Sequence, residues 1–353
     1  MHRLRLAVIP GDGIGPELAE VCQPVIEAAA AREDLELETS VLDWGGARYL
    51  RQGAAMPADA AGQLRRHDAV LFGAVGRPDV PDHELVWGLI IRLRQELQLS
   101  INLRPARSFP AVRGPLAGRP SIDLLVVREN TEGEYVGAGG VAHRGAPEEV
   151  ALELAVHSRQ VILDAARFAF TAARDRRRQL TLVTKSNAMR FGYVLWDQVF
   201  EEVAAEYPEV TTERVLVDAM AARMVERPQG LDVLLCSNLF GDILSDLAAA
   251  LVGGLGLAPS ANIRPDQALG VFEPVHGSAP DIAGRGLANP CGYLLSAAML
   301  FEHNRLPRAA AALRAGIASA LTEPANHTPD LGGSASTAEL AQAVRDRLQE
   351  ASV

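Results

Sequence analysis

Apolar residues recur along this chain in short runs separated by Gly- and Pro-rich turns. Leu4–Ile9, Leu35–Leu42, Ala69–Gly73, Leu124–Val127, Leu180–Thr184, Val215–Asp218 and Asp232–Cys236 have the length and composition of strands. Longer segments between them read as helices: Leu18–Ala31, Glu84–Leu97, Glu148–Ala173, the stretch opened by Asn238, and an amphipathic last helix over Thr337–Glu350. Within Glu84–Leu97, Trp87, Ile90, Ile91 and Arg94 fall three and four apart and share a face. Alternating strands and helices predict an α/β architecture. The first strand runs into Gly11-Asp-Gly-Ile-Gly-Pro-Glu17, a turn whose glycine spacing is not the GxGxxG of dinucleotide-binding folds. Gly137–Pro147 reads as a Gly-rich excursion, Arg174–Arg178 as a solvated helix end, and Lys185–Asn187 as the cap of the next helix.

One stretch breaks the alternation. Phe272–Asn289 holds Gly277, Gly284, Gly286, Pro274 and Pro280, and reads as neither an ordinary helix nor a central strand. A loop of this length in a compact domain is usually functional. His276 offers a flat face and a ring nitrogen. The small residues Gly277, Ser278 and Ala279 let backbone N–H groups approach an anion. Asp281 can accept both hydroxyls of a ribose and repels a 2′-phosphate, which favours NAD over NADP.

Composition narrows the function classes. A chain of 353 residues fits one or two domains, and 48% hydrophobic residues suffice for a large core. A formal charge of −10 argues against a nucleic-acid partner. Cys22, Cys236 and Cys291 are odd in number and lack metal-ligand spacing, so they are expected as core thiols in a reducing compartment. The N-terminal run meets Pro10 and Gly11 too soon for a signal peptide, and no apolar run reaches the ~18 residues of a membrane span. A cytoplasmic protein with no membrane partner is expected.

Three sets of residues carry candidate chemistry. Arg94, Arg104 and Arg128 read as lying near strand ends and can clamp a dicarboxylate bidentately. Arginine supplies nearly all the cationic side chains. A lysine retained at 185, after a buried strand, therefore suggests proton transfer, which arginine cannot perform. Asp242 and Asp246 are four apart on one helical face, an all-oxygen pair suited to Mg²⁺ or Mn²⁺.

These motifs carry a family resemblance. HGSAPDIAG at 276–284 with ANP at 288–290, GDGIGPE at 11–17, and Lys185-Ser-Asn187 resemble the β-decarboxylating dehydrogenases, which include the isopropylmalate, isocitrate, homoisocitrate and tartrate/D-malate enzymes. The resemblance covers nearly the whole chain. It implies the two-domain isopropylmalate/isocitrate dehydrogenase-like fold, which is not a Rossmann fold. Residues 1–100 and 255–353 would form a cofactor domain, and 101–254 a dimerisation and metal/substrate domain. It implies Glu273, His276, Gly277, Ser278, Ala279, Asp281 and Asn289 at NAD, with Asp281-Ile282 where NADP-dependent relatives carry Lys-Tyr. It implies Arg94, Arg104 and Arg128 on the substrate, and Asp218, Asp242 and Asp246 on the metal. Lys185 would accept the substrate hydroxyl proton through water or Asp218, and Tyr135 would protonate the product of decarboxylation. Lys185 and Asp218 would reach into a neighbouring subunit's site, so a homodimer is expected, with the Gly137–Pro147 region as an arm pairing with the partner's arm.

The acid is narrowed by Trp87 and Ile90. Trp87 fills space, and its face offers no added cation for a third carboxylate, because Arg92 points elsewhere on the helix. That suggests a C4 acid, D-malate or tartrate. The runs at 81–88, 126–135 and 258–262 resemble the tartrate/D-malate enzymes more than the isopropylmalate ones. Leu97-Gln-Leu-Ser100 and Ala188-Met-Arg190 depart from that pattern, and the greasy Ile90/Ile91 wall keeps 3-isopropylmalate as the alternative. A non-catalytic regulatory subunit would have lost a site residue, and here all are present.

Overall fold

The computed structural model describes residues 2–350. Twelve strands occur among them: β1 (His2–Gly11), β2 (Leu35–Val41), β3 (Ala69–Ala74), β4 (Ile101–Arg107), β5 (Asp123–Glu129), β6 (Gly133–Ala142), β7 (Val150–Val156), β8 (Gln179–Thr184), β9 (Thr211–Leu216), β10 (Val233–Cys236), β11 (Pro259–Ile263) and β12 (Val271–Pro274). Ten form one sheet in the order β2-β1-β3-β12-β11-β4-β5-β10-β8-β9, and β6 and β7 form a separate ribbon. The architecture is mixed α/β around a large central sheet.

The outer strands pair in parallel, while the middle reverses. β11 runs antiparallel to β12 and to β4, and β4 antiparallel to β5. Segments 1–100 and 255–353 supply β1, β2, β3, β11 and β12, and 101–254 supplies the rest of the sheet. The seam between these two halves is the β11–β4 pair. β3 is buried at all six positions, which its unbroken apolar run Ala69–Ala74 requires of a strand covered on both faces. β2, at the edge, alternates instead, and its Glu36 and Glu38 blunt the open side.

Helices cover both halves. Gly15–Ala30 packs on β1 and β3 and against Thr337–Glu350, and Cys291–His303 packs on β11 and β12. Arg159–Arg174 lies on β5 and β10, and Asn238–Val252 lies across β4 and β5. Phe272, with no exposed surface, joins the core from β12, and truncating such a side chain to Ala costs about 3–5 kcal/mol. The three cysteines are buried and free, and burial pushes their thiols up. No described helix is long and apolar enough to cross a membrane.

Several expectations need correction. Glu148–Ala173 is not one helix. Val150, Leu152, Leu154 and Val156 alternate with period two and form β7, and the helix starts at Arg159. The Phe272–Asn289 stretch is not loop throughout. Val271–Pro274 is β12, buried in mid-sheet, and Pro274 is tolerated because it is the strand's last residue. The segment Glu84–Leu97 is not a uniform α-helix, because Val86–Ile91 widens into a π-turn. Asp218 is not at a strand tip but in the first turn of the helix Val217–Glu226. Lys185–Asn187 forms a turn, and the next helix begins only at Gly192. Arg176 is not merely solvated. It bridges Asp123 and the fully buried Asp232 at 2.9 and 2.8 Å.

Candidate active site

Three arginines converge beside the seam. Arg104 comes from β4 and Arg128 from β5, where Asn102 pairs in register with Arg128. Arg94 comes from the turn of helix preceding β4. All three are buried, with Arg128 at 1% exposure. Each guanidinium is held by fixed acceptors. Arg128 Nε donates to Asn238 Oδ1 at 2.9 Å, and its Nη1 to Asp242 Oδ1 at 2.5 Å. Arg104 Nη1 donates to Ser245 Oγ at 2.8 Å and Asp246 Oδ1 at 3.2 Å, and stands 3.2 Å from Asp242 Oδ1. Arg94 Nη2 donates to Glu273 Oε1 at 3.1 Å, while its buried Nε has no hydrogen-bond partner among the described residues.

The helix Asn238–Val252 lies over β4 and β5 and brings Asp242 and Asp246 to these arginines. The electrostatics are those of an anion site. Burial, then the neighbouring Arg104, push Arg128 down to about 9, still cationic at neutral pH. Burial works to raise Asp242, but Arg128 and Arg104 outweigh it and hold the carboxyl below its ordinary range. Asp246 is instead raised, by burial and by Asp242, against the pull of Arg104. A dianion placed here would relieve the like-charge crowding of three guanidinium groups.

Tyr135, on β6, points its hydroxyl into the cluster and donates to Asp242 Oδ2 at 3.0 Å, with Arg128 5.6 Å from its ring centre. Burial and Asp242 raise its phenol to about 12, so it holds its proton throughout the neutral range.

Lys185 and Asp218 pair with each other at 2.5 Å. The hydrogen bond from Lys185 holds Asp218 below its ordinary value. Lys185 is the single lysine among the 34 Lys and Arg residues. Among the described residues, no three His, Cys, Asp or Glu groups lie close enough to hold a metal ion. Asp242 and Asp246 thus offer two carboxylates of the three named from the sequence, and Asp218 is not gathered with them within one chain. The donor chemistry still fits a hard cation: carboxylate oxygens only, with no thiolate or imidazole.

Beside the arginines lies the segment after β12. Ala279 sits at φ +41°, a left-handed conformation that a non-Gly residue adopts only under constraint. His276 has an enclosed Nε2 without a partner, and its Nδ1 lies 3.0 Å from Gly277 O. Gly277 and Asp281 are exposed, Ser278 is buried, and nothing stands within 4 Å of where a Cβ on Gly277 would project. These features fit a dinucleotide: an unpaired imidazole nitrogen, an uncrowded backbone and a free carboxylate. The Gly-rich turn at 11–15 is the seat of this segment. Ile14 N donates to Ser278 O at 2.9 Å, and a Cβ on Gly13 would lie 1.9 Å from that same oxygen. Asn289 is buried and uses its side chain within the fold, donating to Asp330 and accepting from Cys291 N, both at 3.0 Å.

Of the two residues named for acid selection, Ile90 is buried in a hydrophobic cluster and Trp87 is 37% exposed. Arg92 points away, to Glu96 and Ala58 O.

The chain matches the sequence profile of the Isocitrate/isopropylmalate dehydrogenase family over residues 5–344. It belongs to that family. A probable tartrate dehydrogenase/decarboxylase of Agrobacterium vitis is 47% identical over 98% of this chain and 97% of its own length. A 3-isopropylmalate dehydrogenase of Thermobifida fusca is 44% identical over 98% of each chain. The crystal structure of isocitrate dehydrogenase from Methylococcus capsulatus superposes with a TM-score of 0.89 at 36% identity, covering 99% of this chain and 100% of that one. The family and fold expected from the motifs are therefore correct, and the chain is an oxidoreductase of the dehydrogenase/decarboxylase type.

The structure also brings in polar residues that sequence reasoning did not select. Asn102, Ser245, Asn238 and Asn262 all hydrogen-bond to site residues. Asn102 opens the run Asn102-Leu-Arg-Pro105 that carries Arg104, and Asn238 opens the run Asn238-Leu-Phe-Gly-Asp242. Nothing in the linear pattern separates a buried amide there from an exposed one.

Proposed function

We propose that this enzyme oxidatively decarboxylates a small 2-hydroxy dicarboxylic acid, D-malate or tartrate, with NAD and a divalent metal. The observation that carries the reading is the buried trio Arg94, Arg104 and Arg128 facing Asp242, Asp246 and Tyr135. The similarity to probable tartrate dehydrogenase/decarboxylases supports the choice of acid.

The arginines bind and orient the two carboxylates. Arg94 Nε, unpaired and buried, is a ready donor for one of them. Asp242 and Asp246, with Asp218 of a second copy, would hold a Mg²⁺ or Mn²⁺ ion. A metal held there would supply Lewis acidity toward the substrate hydroxyl and the developing negative charge. Lys185 of the second copy, linked to Asp218, takes the hydroxyl proton directly or through water. His276, the backbone at 277–279 and Asp281 would hold NAD, and Glu273 lies beside Arg94. Tyr135, protonated through the neutral range, returns a proton to carbon after CO₂ leaves. On this reading the working unit is a homodimer.

The test is NADH formation with Mn²⁺, comparing D-malate, the tartrates, 3-isopropylmalate and isocitrate by kcat/KM. Preference for a C4 acid is expected. Preference for 3-isopropylmalate would move the protein to the other reading, which the greasy Ile90/Ile91 wall and the Thermobifida fusca relative favour. Absence of turnover with every acid would sink both.

A further inference from the structure

A hydrogen-bond chain crosses the seam of the sheet and joins groups that the proposed chemistry treats separately. Arg104 Nε donates to Asn102 Oδ1 at 2.7 Å. Asn102 Nδ2 donates to Asn262 Oδ1 at 3.0 Å, and Asn262 Nδ2 donates to Glu273 Oε1 at 2.8 Å. Arg94 Nη2 closes the chain on the same carboxylate oxygen at 3.1 Å. Asn102 and Asn262 stand opposite each other in register on β4 and β11, and neither has exposed surface.

The direction of this chain is dictated by its ends. A guanidinium only donates and a carboxylate only accepts, so both amides have one workable orientation. Asn130 Nδ2 adds a second donor to Asn262 Oδ1 at 2.9 Å, and Asn262 Nδ2 also reaches Val271 O at 3.1 Å. Each bond polarises the next in such a buried network, and a partly satisfied network is costly.

We propose that Asn102 and Asn262 are positioning residues that couple Arg104, on one side of the seam, to Arg94 and Glu273 on the other. The substrate clamp and the cofactor side are then set as one unit. This inference rests on the reading of the arginines as a dicarboxylate clamp. Asn102 and Asn262 need touch neither ligand.

The test reverses one link. Asn262→Asp keeps shape but cannot donate to Glu273 when ionised, and sets two carboxylates side by side. Such a pair takes up one shared proton as pH falls, which restores the donor. At pH 8 we expect KM for the acid to rise about tenfold and NADH binding, measured by calorimetry on the enzyme without substrate, to weaken. Both should recover toward pH 6, a pH signature the wild type lacks. In Asn262→Asp/Glu273→Gln the pairing is restored in reverse. The first substitution should then cost less than it does alone, and the pH signature should vanish. Asn102→Asp keeps the bond from Arg104 and cuts the next link, and serves as an independent second variant with the same expected direction.

A merely structural role would lower Tm while leaving KM and NADH affinity within twofold of wild type at both pH values. That result, or equal cost of Asn262→Asp in both backgrounds, overturns the proposal. Should the wild type turn over no dicarboxylate, the parent reading falls and the coupling falls with it. Turnover by the wild type with unchanged variants overturns the coupling alone.

Discussion

The indole of Trp87 lies against Gly137, so closely that a Cβ built on Gly137 would stand 2.8 Å from Cη2 and 2.9 Å from Cζ3. Gly137 also sits at φ +78°, a conformation that suits glycine. The contact ties the π-turn at Val86–Ile91 to β6, two residues after Tyr135. If Trp87 lines the substrate space, as the sequence reading expects, its removal should widen that space. Trp87→Leu is expected to lower kcat/KM for a C4 acid by about tenfold and to raise it for 3-isopropylmalate, since even one methylene in a hydrophobic pocket is worth about 1–3 kcal/mol. Paired steady-state assays on the two acids check this. Unchanged ratios would remove Trp87 from the specificity wall.

Tyr135 holds a proton that it can give and a hydrogen bond that it can lose. Tyr135→Phe removes the donor to Asp242 without emptying the space. Loss of a general acid typically costs 10²–10⁴-fold, so kcat should fall by about 100-fold or more while the protein stays folded. Because burial and Asp242 raise the phenol to about 12, no loss of activity below pH 10 should trace to its ionisation. A pH profile of kcat that breaks near 9 in the wild type and not in the Phe variant would contradict this assignment.

Asp246 predicts a trade of stability against activity. Burial and Asp242 raise its carboxyl in the folded state. Its contribution is therefore most favourable below the unfolded-chain value, about 3.9, and is lost as pH rises through the folded value. Asn, a neutral isostere, removes that loss. In EDTA, Asp246→Asn should melt higher than wild type at pH 8, with the gap closing toward pH 4. The same variant should lose metal-dependent turnover. Thermal melts across pH read the first outcome, and an equal or lower Tm at pH 8 would refute it.

Much of this was legible in the sequence, and the misses have physical reasons. The residues Arg104, Arg128, Asp242 and Asp246 do come together, though Arg104 lies in the middle of β4 rather than at a strand end, because the helix Asn238–Val252 crosses β4 and β5. β12 was hidden by Pro274, a residue hostile to central strands except at an end. β7 was hidden by the helical segment that follows it. Its side chains are exposed at every position, so alternation of Val150, Leu152, Leu154 and Val156 was the one local clue. Asn102 and Asn262 gave no clue, because burial of an amide depends on strands distant in sequence. The assignment of Asp218 to the metal came with the resemblance, and no single-chain geometry gathers it with Asp242 and Asp246.

That last separation, together with the apolar surface of the ribbon, supplies a test of the shared site. Leu152 and Leu154 on β7 are 61% and 57% exposed, an apolar strand that a second copy would cover. If Lys185 and Asp218 serve a neighbour's arginines, two inactive chains can rescue each other. Lys185→Arg keeps the charge and the pairing with Asp218 but cannot exchange its proton, and it removes the single lysine of the chain. Asp242→Asn leaves Lys185 intact. Each alone should be inactive. In a heterodimer of the two, one site collects both defects and the other collects none. Random re-association makes half the dimers mixed, each with one of two sites intact, so activity should return to about a quarter of wild type. Mixing after mild dissociation, with turnover followed over time, reads the outcome. No recovery in verified heterodimers would place Lys185 in the site of its own chain.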